Sequence, residues 1–306
     1  MNFDILIPLL AATVLSGTPV LYATLGEIIT EKSGVLNLGV EGVMMVGAFS
    51  AFFVAAATGS PWLAFVAAGV VGMLAVSLHG VVCLWFQGNQ VVSGLALTLL
   101  GSGLANYLGT PYVGTKAPGF SAVALPGLSR IPALGEIFFN HDPLVYLSYL
   151  LPPILWFFFH RTGIGLGLRA VGENPAAARA AGLNVQRLRW IGILVGGFFM
   201  GLGGACLSLA YTHLWTSSLS GGRGWIAVAL VIFAFWRPGR AVFGAWLFGG
   251  VMALQLRLQA SGAQVSSSLL LMLPYALTVI VLVFSSAWRK SDAAPAALGV
   301  NVEPGE

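Results

Sequence analysis

The chain has 306 residues, 58% of them hydrophobic and only 8% charged, with a formal net charge of +4. An ordinary soluble domain carries roughly 25% charged residues, so this composition excludes a water-soluble globular protein and predicts residence in a bilayer. The basic excess lies in short connections between apolar runs, where it sets orientation and gives no ground for a nucleic-acid partner.

Apolar runs near the roughly 20 residues needed to cross a hydrocarbon core recur along the chain. They fall at residues 4–25, 35–57, 61–85, 90–109, 143–160, 189–210, 224–236, 241–258 and 268–287. The expectation is an all-α polytopic membrane protein of about nine spans (8–10), with one transmembrane domain over 1–290. The first run has no basic flank and no small-residue cleavage site, so it reads as a retained span. Cys83 and Cys206 fall inside apolar runs without a redox or metal spacing and read as small core residues.

Between the first two runs, Glu27, Glu31, Lys32 and Glu41 interrupt an otherwise nearly continuous apolar stretch. Ionisable groups at membrane depth cost roughly 2.5 to 3.5 kcal/mol each on insertion scales, so they are retained for a reason. Two readings stay open: a solvated loop, or a discontinuous helix whose unwound Ser33 to Gly39 backbone lines a pathway. Asn89, Gln90, Ser93, Thr98 and Asn106, in or at the start of the fourth run, carry groups able to hydrogen-bond a polar solute or to join helices. With Asn37 and Glu41 they form the candidate translocation pathway.

The long connection from Thr110 to Asp142 contains only Lys116 and Arg130 as basic residues and ends in His141-Asp142, read as a solvated turn before Pro143. Arg161, Arg169, Arg179, Arg187 and Arg189 gather between the fifth and sixth runs, Arg237 and Arg240 in the next turn, and Arg289 and Lys290 after the last run. The positive-inside rule makes these sides cytoplasmic, with the C-terminus inside and the N-terminus outside.

Within the arginine-rich loop, about 161–188, lies a helix with both ends written in sequence. Asn174 can cap it, Pro175 fits the first helical position, Ala176 to Ala181 favour helix, and Gly182 supplies a left-handed stop. Gly192, Gly196, Gly197 and Gly201 recur at four-residue spacing in the sixth run, which suits close helix packing in lipid. The seventh run is short, about twelve residues, and follows Ser220-Gly221-Gly222-Arg223-Gly224, so a broken or re-entrant segment is expected. The tail 291–306 offers no apolar face and reads as disordered.

Catalytic chemistry is not in evidence. Lys32, Lys116 and Lys290 follow Glu, Thr and Arg, so no phosphate-binding loop is present and the chain carries no ATPase of its own. His79, His141, His160 and His213 lack metal-ligand spacing, and Gly163, Gly165 and Gly167 lack the preceding strand of a dinucleotide site.

Three separated segments then carry a family resemblance: Gly26-Glu27-Ile28-Ile29-Thr30-Glu31-Lys32-Ser33-Gly34 through Asn37-Leu38-Gly39-Val40-Glu41-Gly42, Asn89-Gln90-Val91-Val92-Ser93-Gly94-Leu95-Ala96-Leu97, and Arg169-Ala170-Val171-Gly172-Glu173-Asn174-Pro175-Ala176-Ala177-Ala178-Arg179-Ala180-Ala181-Gly182. Together they resemble the membrane-spanning permease subunits of bacterial ABC importers in the nucleoside and simple-sugar (ribose-type) branch, over about residues 15–288. The resemblance implies a multi-pass protein of the bacterial inner membrane that binds no cofactor itself. It implies as partners a cytoplasmic ABC ATPase that hydrolyses ATP, a second permease subunit of paralogous sequence, and an extracytoplasmic solute-binding protein. It makes Asn174 to Gly182 the coupling helix, with Glu173, Asn174, Pro175, Arg179 and Gly182 at the ATPase. The wording of Gly26 to Gly42 is closer to the nucleoside permeases than to the monosaccharide ones. The alternative from another class is a secondary transporter driven by an ion gradient, with Glu27, Glu31 and Glu41 relaying protons.

Overall fold

The structure, a computed structural model, describes residues 3–261, 266, 269–270, 272–287 and 294–301. It is an all-α, multi-pass membrane architecture: among the described residues, seven helices are long and apolar enough to cross a bilayer. In chain order the helices are α1 (Phe3–Lys32), α2 (Val40–Thr58), α3 (Pro61–Gly80), α4 (Gln90–Gly109), α5 (Leu134–Phe138), α6 (Pro143–Arg161), α7 (Gly163–Glu173), α8 (Pro175–Ala180), α9 (Val185–Cys206), α10 (Arg223–Phe233), α11 (Pro238–Ala260) and α12 (Leu273–Ala287). The seventh and ninth expected spans correspond to α10 and α12, at 11 and 15 residues.

Helix α9 is the hub and packs on α1, α2 and α3. Its glycines make this possible: a Cβ on Gly201 would collide with the Ala68 carbonyl and the Gly72 backbone, and one on Gly196 with Thr30 and the Gly26 carbonyl. Small residues bring helix backbones together where dispersion drives association in lipid. The spacing of Gly192, Gly196, Gly197 and Gly201 is thus a packing seam. Cys83 and Cys206 are free and buried, as their setting implies.

Helix α1 continues through Lys32 rather than ending near residue 25, and α2 starts at Val40 rather than 35. Glu27 and Glu31 therefore lie within a helix, at 0% and 2% exposure, and the solvated-loop reading does not hold for them. One oxygen of each carboxyl meets a donor, the Asn37 amide for Glu27 and the Trp236 indole for Glu31, while Glu27 Oε2 is buried without a partner among the described residues. The break itself is confined to 33–39, where Gly34 takes φ +86°.

The 110–142 connection is folded. Strand β1 (Val123–Ala124) pairs antiparallel with β2 (Asn140–His141), and the Ala117 and Phe120 amides bond the His213 and Leu209 carbonyls. His141 and Asp142 are buried rather than forming a solvated turn. Asp142 caps α6 by accepting from the Leu144 and Val145 amides at 2.9 and 3.3 Å. Burial raises its carboxyl above the usual range, against the opposing effect of those amide bonds.

Of residues 291–306, the described part, 294–301, forms a turn docked on the same end of the bundle as α8, because its backbone amides find carbonyls on two neighbouring connections. Residues 291–293 and 302–306, like Arg289 and Lys290, lie outside the described residues.

Candidate functional site

Helix α8 forms as its sequence dictates. The Asn174 side chain accepts from the Ala177 amide at 2.9 Å, and Pro175 occupies the first turn, where an amide donor would have no helical partner. At the other end Gly182 takes φ +83°. Its amide bonds the Arg179 carbonyl at 2.8 Å, while the Leu183 amide reaches back to Ala178 at 3.0 Å. This paired stop satisfies carbonyls that the helix leaves open. Ala178 packs with Val171 and Val185, which holds the six-residue helix to the ends of α7 and α9. Glu173, Asn174 and Gly182 are exposed, and Pro175 and Arg179 half-buried. Glu173 also accepts from the Ala296 amide of the tail at 3.3 Å. A hollow of about 700 Å³ opens beside α7, lined by Lys32, Arg169, Glu173, Arg237 and Arg240 among others.

Four of the polar residues expected to line a pathway bond the 33–39 elbow, directly or through His79. Asn37, fully buried, accepts from the Gly39 amide at 2.8 Å, and its own amide donates to Glu27 at 3.2 Å. Gln90 accepts from the Leu36 amide at 2.8 Å, and Thr98 donates to the Leu38 carbonyl at 2.8 Å. Ser93 meets His79 at 3.0 Å, whose other ring nitrogen is 3.1 Å from the Leu36 carbonyl. Asn89 caps α4 through the Val92 amide, and Asn106 accepts from the Ser218 amide at 2.9 Å. The buried backbone of a broken helix requires such partners.

Glu41 has a different task. Its carboxylate accepts from the Ser220 hydroxyl at 2.5 Å and from the Gly222 and Gly224 amides at 2.9 and 2.7 Å. Helix α10 has no side-chain cap of its own, since Gly222 stands at its cap position with φ +82°. Glu41, from α2, supplies that cap across the bundle and places negative charge at the positive end of the helix dipole. A Cβ at Gly224 would strike the Glu41 backbone, so only glycine allows the approach.

The far end of α10 is fixed by another carboxylate. Phe235 and Trp236 adopt left-handed backbone at φ 51° and 54°. Such geometry costs non-glycine residues roughly 1–3 kcal/mol each, and it is held here by surrounding contacts. The Trp236 indole donates to Glu31 at 2.5 Å, and Arg240 lies over the Phe235 ring at 5.1 Å. Eleven residues rise about 16 Å, roughly half a hydrocarbon core. Helix α10 is therefore too short to cross a hydrocarbon core by itself.

At the Glu41 end of α10 lies a cavity of about 440 Å³, lined by Tyr211, Arg223, Gln255, Tyr275 and apolar neighbours. Arg223 stacks over Tyr211 at 5.2 Å and donates to the Ser220 carbonyl at 3.1 Å, and its buried Nε has no partner among the described residues. Of the expected pathway residues, Glu41 alone borders this region, through the helix end it caps. Tyr211, Arg223, Gln255 and Tyr275 did not stand out in sequence because they come from four separate segments. The helix-breaking 220–224 stretch was the only local signal of the place.

A short broken helix ending at a cavity that holds an arginine and two tyrosines, with a capped helix on a basic loop, suits a transport protein. Residues 9–282 match the family described as branched-chain amino acid transport system, permease component, and the chain belongs to that family. It is an ABC-transporter permease subunit related to nucleoside and sugar import permeases, and membership decides against an ion-driven carrier. A putative glucose ABC transporter permease of Haloferax volcanii is 46% identical over 82% of this chain and 78% of its own length. A guanosine ABC transporter permease of Bacillus subtilis is 35% identical, over 91% of this chain and 92% of the relative. A nucleoside ABC transporter permease of Lactococcus lactis is 33% identical over 96% of both. Membership implies that ATP is hydrolysed in a separate subunit, within an importer that also comprises a second permease and a solute-binding protein.

Proposed function

We propose that this chain forms half of the translocation pathway of an importer for a nucleoside or simple sugar, coupled to its ATPase through α8. In this reading the chain crosses the membrane nine times, N-terminus outside and C-terminus in the cytoplasm, and pairs with a paralogous permease. The observation that carries the coupling role is α8 itself: a helix capped at both ends, exposed along Glu173, Asn174 and Gly182, on the loop richest in arginine. The basic hollow beside α7 adds charge complementary to an acidic edge of an ATPase.

The solute passes the Tyr211, Arg223, Gln255 and Tyr275 cavity rather than the row Asn89 to Asn106, whose hydrogen bonds are spent on the elbow and on neighbouring loops. Aromatic faces beside a guanidinium and an amide suit stacking and hydrogen bonding to a heterocycle or a polyhydroxylated ring. The guanosine, nucleoside and glucose names of the relatives support both solute classes.

The test is purification of the tagged chain from its native membrane. Retention of an ATPase and a second permease is expected, with the ATPase lost in Asn174→Pro and Arg179→Glu while the permease pair persists. Retention by both variants would remove α8 from the coupling role. Competition between guanosine and glucose for uptake then assigns the solute class, and Arg223→Ala should abolish uptake without releasing the ATPase.

A further inference from the structure

The segment Ala294–Asn301 buries Ala297 and rests Ala294 and Leu298 on the core. It also hydrogen-bonds four places in the bundle: α7, the elbow, the start of α9 and the 87–90 stretch that opens α4. The Ala297 amide donates to the Gly172 carbonyl at 2.9 Å, and the Gly299 amide to the Gly34 carbonyl at 3.2 Å. Arg189, at the start of α9, donates to the Val300 carbonyl at 2.9 Å. Asn301 donates to the Gln87 and Gly88 carbonyls at 2.7 and 3.2 Å and accepts from Gln90 at 2.9 Å. Both donor hydrogens and the acceptor of that one amide are therefore used.

Gly172 closes α7 one residue before Glu173 and lies directly against the elbow, with no room for a Cβ between it and Lys32 and Gly34. The tail bonds the same two glycines from the side, so α7, α8 and the elbow are pinned at one point. Gln90 extends the connection, because its amide bridges Asn301 and the Leu36 backbone. Beneath the tail Arg189 is 1% exposed, with Nε and Nη2 unpartnered among the described residues. A buried guanidinium held by a single carbonyl gains little over hydration, so the closed arrangement is weakly biased and can open.

We propose that Ala294–Asn301 is a clasp that ties α7–α8 to the 33–39 elbow and the start of α4, so that a displacement of α8 by its partner moves the broken helix instead of dissipating in the loop. The clasp rests on the reading of α8 as the ATPase-docking helix, and Asn301 and Arg189 act in it as positioning residues. Coupling of this kind requires a physical element whose arrangement both sites bias.

The test uses the full complex with Asn301→Ala, and Gln90→Glu as a second variant that keeps the acceptor for Leu36 while losing the donor to Asn301. Amide exchange in the 33–39 and 170–174 segments is expected to quicken together by about tenfold, the scale of one or two net hydrogen bonds. Uptake of guanosine or glucose per ATP hydrolysed should fall with ATPase retention and melting temperature unchanged, which a merely structural contact would not produce. Quickening confined to the tail, or an unchanged ratio of uptake to hydrolysis, would overturn the clasp. If the wild-type chain retains no ATPase, the reading of α8 fails, while the exchange measurement still decides whether the tail ties the two segments together.

Discussion

Helices α8 and α10 are both short, and they are specified in opposite ways. The instructions for α8 are contiguous: Asn174, Pro175 and Gly182 lie within nine residues and satisfy its ends by local bonds. Those for α10 come from far along the chain, with Glu41 capping its start from 183 residues before Gly224 and Glu31 receiving Trp236 from 205 residues away. A helix written locally can be presented to a partner, although six residues still need the Val171, Ala178 and Val185 cluster to stay folded. A helix capped from elsewhere exists only while the bundle around it keeps its arrangement. It is therefore an element whose ends are set by α1 and α2.

The strongest way to break this contrast is Glu41→Leu, which strands the buried Gly224 amide, the part-buried Gly222 amide and the Ser220 hydroxyl and should destabilise the protein by about 3 kcal/mol or more. Thermal unfolding in detergent would show it, with Glu41→Gln intermediate; an unchanged melting temperature would mean that α10 does not depend on its remote cap. Trp236→Phe removes the indole donor from Glu31 and is expected to cost about 2 kcal/mol, the range for hydrogen bonds to charged groups. For α8 the effects should be smaller and local. Asn174→Ala loses a cap worth about 1 kcal/mol, visible as faster amide exchange at Ala177 with little change in global melting. Gly182→Asn should cost only a few tenths of a kcal/mol, because asparagine tolerates left-handed backbone, whereas Gly182→Val should cost roughly 1–2 kcal/mol.

The same contrast explains how much was legible in sequence. The apolar runs marked the membrane helices, and α8 could be read residue by residue because capping is a local code. The end of α1 could not be placed, since Glu27 and Glu31 look like loop residues until the Asn37 amide and the Trp236 indole are known to meet them. The docked tail was invisible for a related reason: it is held by backbone amides, one asparagine and a few small apolar contacts from Ala294, Ala297 and Leu298, which leave no periodic trace. The Asn89 to Asn106 row shows the converse. Polar residues in an apolar run are conspicuous, but here they hold an elbow, and the cavity was assembled from Tyr211, Arg223, Gln255 and Tyr275 on separate elements.

The glycine seam of α9 has a mechanical consequence. With Gly196 and Gly201 set against the backbones of α1 and α3, any relative slide would drive main-chain atoms together. Helices α1, α2, α3 and α9 therefore behave as a stator, and the stroke of a transport cycle must be taken up by the remainder. Helix α10, gripped at its two ends by Glu41 and Glu31 of that stator, is the junction between the two parts, and the alternating conformations of this permease should differ there, not within the seam.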